Sequence, residues 1–286
     1  MSRELSSTNW AAKSGQSWAS IQTIMSDLLG PIGDLLTERT LVPPQSAVLD
    51  VGCGTGETTR ALALAAGSSC AVVGIDISDA MIDAAHALEA DDPTGARFLL
   101  ADAETYEFEP ETFDVVCSRF GVMFFDDARR AFRNLAGSAR PGAPLTLIVW
   151  RSAEDNPFMT AAERHATDLV PGLTPRAHDA PGQFGFADQA KVSDLLAGAG
   201  WNDLAFEAVD VPCTMKHTDL EPFLRNAGPL SRALTDNSED EKARVIEETI
   251  PAFAPFRDGD TLQFDAACWV ITGRRSKALV QGGSHG

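Results

Sequence analysis

Ala47-Val48-Leu49-Asp50-Val51-Gly52-Cys53-Gly54-Thr55-Gly56 is the stretch whose reading decides the fold. Small and β-branched apolar residues run through one acid into three glycines at alternate positions, and Glu57 to Ala66 continues with helical spacing. A buried strand, a Gly-rich turn and a helix make the first βα unit of a nucleotide-binding sheet, where glycines let the backbone approach a ligand. A dinucleotide-binding turn would place its third glycine three positions after the second, where this chain has Glu57. Asp50 narrows the cofactor further. A carboxylate at the strand end repels a pyrophosphate and suits a ligand that carries an ammonium and a sulfonium. The pattern therefore points to S-adenosylmethionine (SAM), with Asp50, Gly52, Cys53, Gly54 and Gly56 expected around it.

The next units continue the site. Ala71 to Ser78 read as a second strand, ending in Asp76, a carboxylate able to accept both ribose hydroxyl hydrogens. Ser78 is placed to cap a helix starting at Asp79, and Ile77 with Met81 can wall the adenine ring. A third strand, Arg97 to Leu100, leads to Asp102 and Ala103, a side chain and a neighbouring amide suited to the adenine edge.

Five segments in this order, VLDVGCGTGETT (48 to 59), GIDIS (74 to 78), ADAE (101 to 104), FDVVCSRFGVMFF (113 to 125) and ARPGAPLTLIVW (139 to 150), carry a family resemblance. Over residues 45 to 150 the chain resembles the class I SAM-dependent methyltransferases, in the small-molecule branch that includes the ubiquinone and menaquinone biosynthesis enzymes. It departs from them at Gly142-Ala143, where relatives often have two glycines; Pro141-Gly142 can still turn. The resemblance implies an α/β, Rossmann-like, seven-stranded and mostly parallel sheet with helices on both faces and an antiparallel last strand. It also implies N-terminal helices over the cofactor pocket, which would bring Trp18 and Gln22 to the methionine end of SAM. Ser118, inside the fourth segment, is counted with the cofactor residues.

Composition limits the partners. Forty-one acids against 23 bases give a formal charge of -18, which disfavours nucleic acid and anionic membrane. No apolar run reaches the roughly 20 residues of a spanning helix, and the polar start lacks a signal-peptide core, so a cytoplasmic protein is expected. The five cysteines are widely spaced, without C-x-x-C or Cys/His ligand spacing, so neither disulfides nor a metal is expected. The stretch 236 to 241 is acidic, and reads as a solvated helix start rather than an interaction motif. Oligomeric state stays open between monomer and homodimer.

The expected organisation is lid helices over 1–44, broken or kinked at Gly30-Pro31, a core over 45–275 and a flexible tail over 276–286. Two helical insertions, 151–186 and 214–259, leave the carboxyl ends of the strands, where open α/β sheets bind ligands, and are expected to cap an acceptor pocket.

SAM arrives activated, so methyl transfer asks chiefly for a dry pocket that aligns acceptor, methyl carbon and sulfur. Phe120, Met123 and Phe124 after strand four, with Phe158, Phe184 and Phe186 from the cap, are candidate walls, and core packing is the plain alternative for each. Arg119, Trp150 and Asn156 are the candidates for positioning the acceptor, with Arg151 at the pocket mouth. Arg119 has two readings: binding a carboxylate, or pairing with Asp126 or Asp127. A hydroxyl acceptor of high pKa would want a base, for which His165, His178 and His217 are the histidines of the insertions. The resulting expectation is methyl transfer to O or C, less readily N or S, of a small, partly apolar molecule. Two rivals are carried: a nicotinamide-dependent oxidoreductase, and a non-catalytic SAM-binding protein.

Overall fold

The computed structural model describes residues 21–173 and 182–277. Trp18 and His178 lie outside the described residues, as do the expected tail from 278 onward and residues 1–20 of the lid segment. Seven strands form one continuous sheet in the order β3-β2-β1-β4-β5-β8-β6. These are β1 (Ala47–Val51), β2 (Ala71–Asp76), β3 (Arg97–Leu100), β4 (Val115–Arg119), β5 (Pro144–Trp150), β6 (Trp201–Lys216) and β8 (Thr261–Arg275). An eighth strand, the two-residue β7 (Arg257–Asp258), pairs with the start of β8. β8 lies between β5 and β6 and runs antiparallel to both and to β7, while the pairs among β1 to β5 are parallel. The Rossmann-like sheet with its reversed last strand is thus present.

The strands read as continuous apolar runs because helices cover both faces. β5 is buried from Leu145 to Trp150, and Val48 to Val51 of β1 are buried throughout. Helices α2 (Glu57–Ala66), α3 (Asp79–Asp91) and α4 (Ala128–Ser138) follow β1, β2 and β4, and α6 (Gln189–Gly198) precedes β6. Ser78 caps α3 by accepting the Met81 amide, and Asp188 caps α6 through the Ala190 and Lys191 amides. The chain winds outward from β1 to β3 and then returns to place β4 on the other side of β1. That reversal opens a crevice at the carboxyl ends of β1 and β4, the ligand position of open α/β sheets.

One expectation is corrected before the sheet begins. α1 (Gln22–Arg39) is a single helix with Pro31 inside it, not two helices broken at Gly30-Pro31. Pro31 removes the amide that would reach the Asp27 carbonyl, but Asp27 is exposed and water can take that carbonyl. Leu28, Leu29, Ile32, Gly33 and Leu36 are buried on both sides of the proline, so packing against the domain holds the turn.

Helix α5 (Pro157–Ala166) follows β5. Between β6 and β8 stand α7 (Leu220–Asn226), α8 (Gly228–Ala233) and α9 (Glu239–Thr249). β6 runs on to Lys216, so this helical segment starts at His217 rather than at 214. α9 opens with a capping box between Ser238 and Glu241, and Glu239, Asp240 and Glu241 form its first turn, which accounts for the acidic run across its start. β6 is a sheet edge 16 residues long, and Pro212 together with Glu207 and Asp210 interrupts its suitability for pairing with another strand.

Candidate active site

A cavity of about 670 Å³ occupies the crevice beyond β1 and β4 and extends under α1, α5, α7 and α8. Its floor is built by the glycine turn. Gly52, Gly54 and Gly56 all hold positive φ, at 68°, 56° and 87°. At Gly52 the requirement is also one of space: a Cβ would sit 2.5 Å from Cα of Gly121, where the loop after β4 crosses the turn. Gly56 packs under the Phe98 ring, outside the cavity wall.

Asp76 ends β2 with both carboxylate oxygens aimed at backbone amides: Gly54 N donates to Oδ2 and Ser78 N to Oδ1, each at 2.9 Å. A carboxylate has about four acceptor positions, so two remain for ribose hydroxyls. Burial raises its pKa above the ordinary aspartate value, reinforced by the charge of Asp50 and opposed by the Ser78 and Gly54 amides. Protonation would remove an acceptor, so SAM affinity should fall as pH drops, beginning above the usual carboxylate range. A titration series from neutral to acid pH checks this; affinity flat until the ordinary aspartate pKa would contradict it.

Ile77, Met81, Ala101, Asp102 and Ala103 line the adjoining part of the cavity. The Asp102 side chain accepts from the Glu104 amide at 2.9 Å, which fixes the loop after β3. Cys53 lines the cavity too, but burial and the charges of Asp76 and Asp50 push its thiol well up, so it packs as a neutral group.

Asp50 is placed differently from expectation. It is fully buried beneath the turn and does not line the cavity; its Oδ2 accepts the Thr58 and Thr59 hydroxyls at 2.6 and 2.7 Å. Its Oδ1 has no hydrogen-bond partner, and burial raises its pKa. Asp50 therefore ties the strand end to the first turn of α2 and influences the cavity through its field. Ser118 is also buried away from the cavity, donating to the Val51 carbonyl at 2.6 Å, because alternate residues of β4 face opposite sides.

Arg119 does line the cavity, with neither Asp126 nor Asp127 as its partner. Nη1 donates to the Leu29 carbonyl of α1 at 3.0 Å and Nη2 lies 3.5 Å from Oε2 of Glu57. Glu57 also bonds Ser26 of α1. Gly33 makes room for the guanidinium, since a Cβ there would meet Nη1 at 2.9 Å. Glu57 and Gly33 were missed in sequence: their partners lie far along the chain. Gln22, Met25 and Leu29 carry α1 over this end of the cavity.

Phe120 follows in the left-handed region, φ 65°, a conformation that costs a bulky residue on the order of 1–3 kcal/mol. Its ring stacks on Trp150 at 4.4 Å with planes 1° apart, and both face the cavity. Phe124 and Phe158 line it as well; Phe158 stacks on Phe264 at 3.9 Å. Sequence reading missed Met159, Ala162 and Glu163 of α5, and Phe223, Leu224, Ala227, Leu230 and Phe253 of the second helical segment, all of which line this half.

Five expected residues lie elsewhere. Met123, Phe184 and Phe186 are buried in the core and do not reach the cavity, with Phe186 beside Phe132. Arg151 turns outward to Asp155 and Asp210. Asn156 is a buried clip: Nδ2 donates to the Ser152 and Ala267 carbonyls, and Oδ1 accepts the Ala267 amide, each at 3.0 Å. His165 and His217 are not among the lining residues, His165 bonding the Glu248 carbonyl.

The charged residues lining the cavity are Glu57, Asp76, Asp102, Glu163 and Asp236 against Arg119 and Arg232. This excess of acid suits a ligand bearing a sulfonium and an ammonium and is hostile to a pyrophosphate. The turn geometry, the ribose acceptor and the charge balance fit SAM together.

Comparison with known proteins agrees. Residues 48–142 match the family described as a methyltransferase domain. The demethylmenaquinone methyltransferase of Renibacterium salmoninarum is 24% identical over 180 residues, covering 60% of this chain and 73% of its own length. The ubiquinone/menaquinone biosynthesis C-methyltransferase UbiE of Burkholderia vietnamiensis is 31% identical over 135 residues, 47% of this chain and 55% of its own. Among solved structures, the cyclase SpnF superposes with a TM-score of 0.56 at 17% identity, covering 94% of this chain and 98% of that one, a likeness of fold alone.

In fold and sequence the chain is similar to the class I SAM-dependent methyltransferases, the methyltransferase-domain match covering residues 48–142. Within that class the chain resembles the UbiE and demethylmenaquinone enzymes. Among the described residues no helix is long and apolar enough to cross a membrane, and no cluster of His, Cys, Asp or Glu could hold a metal ion.

Proposed function

We propose that this methyltransferase moves the SAM methyl group to an oxygen or carbon atom of a small, partly apolar organic acceptor, mainly by proximity and orientation. SAM supplies an activated methyl group. The observation that carries the reading is the half of the cavity under α5 and the second helical segment, walled by Phe158, Phe223, Leu224, Leu230 and Phe253 together with Phe124. Such a wall excludes water and holds an apolar body, and holding reactants in line can account for roughly 7–11 kcal/mol of barrier. Ser231, Asn226, Arg232 and Asp236 add polar groups to the lining, which suits an acceptor with a polar substituent. No histidine lines the cavity among the described residues, so an acceptor already acidic at the reacting atom, a phenol, enol or hydroquinone, fits best.

The test is release of S-adenosylhomocysteine (SAH) with a panel of hydroquinones, phenols and amines, run beside Ala162→Trp. Ala162 faces the acceptor half from α5, so the added ring should leave SAM affinity within about twofold and cut turnover at least about tenfold. SAM binding with no turnover on any acceptor would favour the non-catalytic reading.

A further inference from the structure

Phe120 and Trp150 both line the cavity, and Phe120 immediately precedes Gly121, which abuts Gly52 of the glycine turn. They leave the ends of β4 and β5 as a parallel stacked pair, centroids 4.4 Å apart. Three contacts prevent the Phe120 ring from withdrawing. Its amide donates to the Ile148 carbonyl at 2.9 Å. The next residue, Gly121, is wedged against the glycine turn: a Cβ on it would lie 2.5 Å from the Val51 carbonyl oxygen and 2.6 Å from Cα of Gly52. Trp150, 3% exposed, backs the ring from β5. The left-handed backbone at Phe120 is thereby enforced by its surroundings, and its outcome is an aromatic ring, one face stacked on Trp150, held at the cavity beside the glycine turn.

A SAM molecule with its ribose at Asp76 and its methionine portion along Gly52 to Gly54 would bring its sulfur toward this pair. The face of an aromatic ring carries negative potential and attracts a cation, most strongly where water is excluded. We propose that the Phe120–Trp150 stack is a cation–π platform for the sulfonium and selects SAM over SAH. During transfer the bond from sulfur to the methyl carbon breaks with its electron pair left on sulfur, while the acceptor's electron pair bonds the carbon. Sulfur becomes a neutral thioether, so the platform loses its attraction in the same step and favours product exchange. The proposal rests on the cofactor seat described above.

The test replaces Phe120 by mono-, di- and trifluorophenylalanine, which drain the negative ring face with little change of shape, and measures SAM and SAH binding by calorimetry. SAM affinity should weaken stepwise, by about 2- to 10-fold at the trifluoro ring, with SAH held within about twofold. Phe120→Leu, which removes the face altogether, should lower the SAM-over-SAH preference by about 2- to 30-fold. Equal shifts for both ligands, or no shift for either, would reduce the pair to packing and overturn the platform. Asp76→Ala separates the two readings: it should weaken both ligands alike, since they share the ribose. Weakening of neither would mean the seat is wrong, and the platform would fall with it.

Discussion

Asp76→Ala is expected to weaken SAM binding by on the order of 1.5–3 kcal/mol, roughly 10- to 150-fold, while the protein stays folded. The carboxylate is the side-chain acceptor at the end of β2, and it holds the Gly54 and Ser78 amides as well as the positions offered to the ribose. Removing it takes away a charge-assisted pair and frees the glycine turn at once. The upper half of the range is therefore expected, and Asp76→Asn should fall between, because one amide oxygen can still accept. Binding calorimetry at neutral pH reads the effect directly. Unchanged affinity would mean that the ribose lies elsewhere.

Asn156→Ala should destabilise the fold by about 2–5 kcal/mol and leave activity per folded molecule near the wild-type level. Its amide spans from the loop after β5 to β8, and truncation strands the buried Ala267 amide, while the Ala267 carbonyl keeps only the Arg151 amide. The neighbouring Pro157 starts α5, so the clip also sets where that cavity-lining helix begins. Urea unfolding together with turnover normalised to folded protein distinguishes the roles. Wild-type stability with turnover lost would return Asn156 to acceptor positioning.

These two residues mark what a sequence can and cannot disclose. Asp76 was legible because its signal is local: an apolar strand, an acid, then a capped helix, and β2 and α3 follow that punctuation. The same holds for β1 and α2, where Gly52 to Gly56 leave little conformational choice. Asn156 carried no such signal. Its position beyond β5 suggested the pocket, but the partner that claims it is 111 residues away. Arg151 misled for the same reason, since a residue past a strand end is free to turn outward, here to Asp210. Pro31 was a true local signal overridden by burial on both sides. The apolar lining of the cavity was the hardest to read. Phe223, Leu230 and Phe253 repeat with the apolar spacing of any packed helix, and only the fold separates those facing a cavity from those facing the core.

Calorimetric titration of purified protein, freed of bound ligand, with SAM and separately with NAD decides which cofactor the glycine turn holds. Saturable SAM binding near one equivalent, with no heat from NAD, is the predicted result. Folded protein that ignores SAM and binds NAD would contradict the account from the glycine turn upward.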